Sequence, residues 1–164
     1  MRYGFIKAAA ATPEIRVADC SYNAGQTVKL MREAAEKRGK GSWFFRSFCI
    51  TGYTCSDLFL QRRLLDGALT ALRTVMEASR KLSLLTVAGL PLTVEDKLYN
   101  CAAVIFPGRN FWEWFQKPIC LTITNFYEKR HFVPAPAENT VCRLFGKEVP
   151  FGSKLLFCCD TLLS

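Results

Sequence analysis

Histidine, long apolar runs and repetitive stretches are all scarce in this 164-residue sequence. His131 is the sole histidine, and the eight cysteines form no CxxC pair, so a zinc centre would need almost all-thiolate ligation and no metal is expected. No apolar run approaches the roughly eighteen residues a membrane helix requires; the clearest short one covers residues 101–107. The opening residues 1–12 carry too short an apolar stretch for a secretory leader before Pro13 and Glu14. A cytoplasmic protein with no membrane contact is therefore expected, its thiols reduced and mostly buried rather than paired. Without repeat or low-complexity linker, and with half its residues apolar and 22% charged, the chain reads as one globular domain.

What is present in excess is positive charge, a net +8. The Lys and Arg residues are spread along the sequence, with small clusters such as Lys37-Arg38 and Arg62-Arg63. Trp43, Phe44 and Phe45 lie between Lys40 and Arg46 as one block instead of alternating with basic residues. Solvated helix faces and strand positions explain both features, and no nucleic acid is expected as a partner.

Residues 5–11 form a compact apolar run closed by Thr12-Pro13, which predicts a strand. Residues 24–38 place Val28, Leu30, Met31, Ala34 and Ala35 on one broad face, which predicts a helix. After a turn at 51–57, Leu65, Leu69, Leu72 and Met76 follow helical spacing, with Asp57 as the expected N-cap. Residues 84–90 and 98–106 read as strands joined by the polar turn 93–97, as in a hairpin. This order predicts a layered α/β domain.

Five stretches then carry a family resemblance. They are AAAATPEIRVAD at 8–19, CITGYTCSDLF at 49–59, KLYNCAAV at 97–104, FYEKRHF at 126–132 and VPFGSKLLF at 149–157. In this order and spacing they resemble the amino-terminal glutaminase domain of bacterial glutamine-dependent NAD synthetases, a nitrilase-type carbon-nitrogen hydrolase domain. The resemblance implies an α/β fold, here an incomplete nitrilase-type α-β-β-α sandwich over residues 1–164. It further implies a homo-oligomeric family whose domain hydrolyses glutamine and passes ammonia on for NAD formation. This domain needs no cofactor; ATP and nicotinic acid adenine dinucleotide belong to the synthetase domain, whose SGGxDS-type loop the sequence does not contain.

Such hydrolysis needs a cysteine thiolate to attack the amide, a glutamate as general base and a lysine to stabilise the oxyanion, all converging on one carbonyl. The family glutamate stands in V-F-P-E-L-C before I-T-G-Y, and the matching position is Ser47. A serine hydroxyl cannot act as that base. The family lysine, in P-K-T-Y-L-P-N-Y-N-E-F-Y-E-K-R, matches Lys117, but residues 118–125 depart from the motif. The glutamine-pocket tyrosine of P-N-Y falls at Ile123, while Tyr53 either lines the pocket or packs in the core. The family nucleophile, in I-C-E-D, is expected beyond residue 157 and has no match; the eight cysteines present read as buried thiols.

Both departures have abrupt edges. Regrouping the third base of each codon with the first two of the next allows I-L-V-F-P-E-L for 41–48 and L-G-V-V-P-K-T-Y-L-P-N-Y-N-E-F for 111–126. The reading that follows is a chain with two frame-shifted segments and an early end, with a strained or register-shifted strand at 42–48, an exposed aromatic loop at 106–125 and poor solubility. Two alternatives stand beside the inactive-glutaminase reading: a non-catalytic interaction module on a nitrilase-like fold, and another carbon-nitrogen hydrolase.

Overall fold

The computed structural model describes residues 8–38, 42–46, 49–82, 84–106, 119–122 and 130–155, the strands at 42–46 and 119–122 as backbone. The chain runs β1 (Ala8–Ala10), α1 (Cys20–Arg38), β2 (Ser42–Arg46), a 3-10 turn (Ser56–Leu60), α2 (Arg62–Ser79), β3 (Leu84–Val94), β4 (Lys97–Ile105), β5 (Ile119–Thr122), β6 (Thr140–Leu144) and β7 (Lys147–Phe151). These strands make one seven-stranded sheet in the order β1-β2-β3-β4-β5-β7-β6. β1, β2 and β3 are mutually parallel, linked by α1 and α2 as crossovers, and the sheet then turns antiparallel through the β3-β4 hairpin.

Period-two alternation in β3 sorts its side chains to two faces. Leu84, Ala88, Leu90 and Leu92 join the main core with Met31 of α1 and with Leu72 and Val75 of α2. Leu85 lies on the opposite face with Val104 and Phe106, also buried. Both helices therefore cover one face, which is one α-β half of the expected sandwich. The β6-β7 hairpin closes the same core, its Phe151 ring meeting Tyr99 edge-on at 4.9 Å.

Both hairpin turns use paired left-handed residues, the geometry that matches strand twist. In β3-β4 these are Glu95 and Asp96, with φ 49° and 60°, which narrows the expected turn from 93–97 to its two central residues. In β6-β7 they are Phe145 and Gly146. The Arg73 guanidinium of α2 lies 4.7 Å from the Phe145 ring centre and holds that turn against the helix layer.

Two local expectations need correction. Asp57 does not cap α2: the backbone extends at Gln61 (φ −87°, ψ 120°), which makes Gln61 the residue before the helix. Asp57 instead lies in the 3-10 turn and pairs with Arg130 at 3.3 Å. The buried face of α2 is Leu64, Ala68, Ala71, Leu72, Val75, Met76 and Ser79, one residue round from the stripe traced from Leu65 and Leu69, because α1 packs beside it and favours the small alanines. The strand expected at 42–48 does form, at Ser42–Arg46, and its ladder runs unbroken from Ser42 opposite Leu84 to Arg46 opposite Ala88.

Candidate active site at the carboxyl end of the parallel strands

In sheets with parallel strands, ligands bind beyond the strands' carboxyl ends, where loops from neighbouring strands diverge. Here that edge is made by the loop after β1, the turn after β2 and the arms of the β3-β4 hairpin. β2 stops pairing at Arg46 opposite Ala88, while Gly89 to Val94 continue beside β4 and rise past it as a wall.

The turn after β2 is buried and held tightly. Cys49, Ile50 and Thr51 are each 1% exposed or less. The Ala18 N–H donates to the Thr51 carbonyl at 2.8 Å, and the Asn23 side-chain amide donates to the Ile50 carbonyl at 2.9 Å. Gly52 has φ +82°, and a Cβ there would lie 3.2 Å from Ile15 Cγ2, so glycine serves both the turn and the close loop approach.

Of the candidate residues, Ser47, Lys117 and Ile123 lie outside the described residues. Their described neighbours are informative. Arg46 ends β2 and Cys49 begins the buried turn, with Cys49 Sγ 4.0 Å from the Gly89 carbonyl, so the backbone on either side of position 47 belongs to the carboxyl edge. Ile119 enters β5 opposite Val104, itself opposite Val87, which pairs with Phe45; the other end of β5, Thr122, lies opposite Cys101 and hence level with Leu90. The amino end of β5 is thus below the level of Arg46 and its carboxyl end above it. Tyr53 is described and is 54% exposed, so it is not a core residue; it stands on the loop that leaves the carboxyl edge.

Cys20, Cys49, Cys55, Cys101 and Cys142 are buried thiols, in line with expectation. Burial, with smaller contributions from Cys55 and Asp19, pushes Cys20 up to about 11, and burial also raises Cys55. Neither is poised as a thiolate nucleophile. Cys20 lines an open cleft of about 410 Å³ between the starts of α1 and α2, with Asp19, Ser21, Gln61 and Arg63. No group of three or more His, Cys, Asp or Glu among the described residues could share a metal ion, and no described helix is long and apolar enough to cross a membrane.

This architecture has known counterparts. Residues 7–160 match the carbon-nitrogen hydrolase family. The chain belongs to that family. Over 161 residues, 98% of its length, it is 32% identical to a glutamine-dependent NAD(+) synthetase of Mycobacterium bovis, of which it spans 23%. Among solved structures, a glutamine-dependent NAD(+) synthetase from Cytophaga hutchinsonii superposes with a TM-score of 0.75 at 23% identity, covering 94% of this chain and 26% of that one. A variant of the amidase from Nesterenkonia sp. AN1 gives a TM-score of 0.57 at 17% identity, covering 89% of this chain and 56% of that one. These likenesses establish the fold of this carbon-nitrogen hydrolase chain, and the match to the curated relatives spans 98% of its length.

Proposed function

We propose that this carbon-nitrogen hydrolase chain descends from the glutamine-hydrolysing part of a glutamine-dependent NAD synthetase and does not turn over glutamine itself. The observation that carries the reading is the 32% identity over 98% of the chain, combined with a serine at the general-base position. In sequence, Ser47 follows Arg46, the last paired residue of β2, and matches the position where the family chemistry needs a carboxylate. Its hydroxyl would have to lose a proton far more reluctantly than a glutamic acid to accept one from a thiol. Burial raises the pKa of Cys20 and Cys55, so neither supplies an activated nucleophile.

The loss is of the kind a reading-frame change produces. The genetic code allows it: in the neighbouring frame the junction of Arg46 and Ser47 can read as a glutamate codon, and residues 111–126 can read as the lysine motif. Ammonia release from glutamine, with and without a cysteine alkylator, tests the proposal. No cysteine-dependent release is expected, and alkylator-sensitive release would refute it. The nucleotide sequence tests the origin: codons at 41–48 that cannot encode V-F-P-E-L in the neighbouring frame would exclude a frame change.

A further inference from the structure

We infer that Asn23 is the keystone of a latch that joins the loop after β1 to the turn after β2, so that the carboxyl edge of the parallel strands opens as one unit while the rest of the sheet stays folded. Asn23 is 0% exposed and uses its whole side-chain amide. Its Oδ1 accepts from the Arg16 N–H at 2.8 Å, and its Nδ2 donates to the Arg16 carbonyl at 2.8 Å and to the Ile50 carbonyl at 2.9 Å. One side chain, on the first turn of α1, therefore holds two segments that are far apart in sequence.

The Ala18 to Thr51 backbone bond adds a second tie between the same segments, and Gly52 admits Ile15 at close range. Ala18 itself is held at φ 64°, a conformation that costs an alanine free energy and persists only where its surroundings over-determine it. The latch thus combines buried hydrogen bonds that favour closure with a strained residue that favours opening. Opening breaks the Asn23 bonds and the Ala18–Thr51 bond and uncovers Ile50, whereas unzipping β3 from β4 breaks a ladder that runs from Thr86–Ile105 to Val94–Lys97. What it releases is the buried turn Cys49–Thr51 after β2, so the latch governs the order of that turn at the carboxyl edge.

Native-state hydrogen exchange on the folded chain tests this with two substitutions of opposite sign. Asn23→Ala is expected to speed exchange of the Arg16 and Ala18 amides about tenfold or more relative to β3-β4 hairpin amides. Ala18→Gly, which relieves the left-handed strain, is expected to slow exchange of the Arg16 amide relative to the same hairpin amides. Thr27→Val, which removes another buried hydroxyl of α1 that bonds only within its helix, is expected to leave that ratio unchanged. If Asn23→Ala does not fold, the unsubstituted chain decides: in low denaturant the Arg16 and Ala18 amides must share one opening with a weaker denaturant dependence than the hairpin amides. Exchange of these two amides only through global unfolding, or through two separate openings, overturns the latch.

Discussion

If a cysteine of this chain could replace the family nucleophile, the best placed among the described residues would be Cys20, which lines the open cleft beside the start of α2. The structure argues that it cannot, and the argument is quantitative. Its pKa is about 11 in place of the ordinary 9.0, so near neutral pH its thiolate population falls by about a hundredfold. A more basic thiolate is intrinsically more reactive, which returns a factor of about six to ten. Ionisation alone then leaves Cys20 about tenfold slower than free cysteine toward an aromatic disulfide reagent, and its 7% exposure slows it further. The assay is timed modification at about pH 7.5 with the labelled peptide identified by mass spectrometry. Modification of Cys20 in the native chain as fast as that of free cysteine would show that the burial argument is wrong. The same shift has a stability consequence. Because the folded pKa lies above the unfolded one, the stabilisation is fully present below pH 9 and is lost as pH rises from about 9 to 11, by up to ~3 kcal/mol. Cys20→Ala should flatten that part of the pH profile, leaving the slope due to Cys55 and Tyr99, whose pKa values burial raises in the same direction.

Four further outcomes follow from the fold. Replacing Glu95-Asp96 by Asn-Gly, the pair preferred where both turn residues have positive φ, should raise stability by about 1 kcal/mol, read as a higher urea midpoint with unchanged slope. Thr86 is 0% exposed and its hydroxyl has no hydrogen-bond partner among the described residues, so Thr86→Val should stabilise the chain by about 1 kcal/mol in the same measurement. Leu72→Ala, at a 0% exposed position between α2 and the sheet, should cost about 2–5 kcal/mol, whereas Asp57→Asn, which breaks an exposed pair with Arg130, should cost under about 1 kcal/mol.

Much of the architecture was legible in the sequence because it rests on local patterns. The apolar strands at 84–90 and 98–106, with polar residues between them, anticipated the β3-β4 hairpin, and the spacing of Leu72 and Met76 anticipated α2. The five motif stretches pointed to the carbon-nitrogen hydrolase family, and the same resemblance proposed Ser47 for the general-base position. The site was less legible. Nothing in the spacing of Arg16, Asn23 and Ile50 signals that one amide joins them, because a side-chain hydrogen bond across 27 positions has no periodicity to betray it.

The sequence by itself determined the family, since a motif match depends on which residue stands at each position. Only the tertiary structure decided that Asp57 pairs with Arg130 instead of capping α2, that α2 turns Leu64 and Ala68 inward, and that Tyr53 lies outside the core. The reason is common to all three. Capping, helix rotation and exposure are settled by what another segment brings alongside, and those neighbours come from distant parts of the chain.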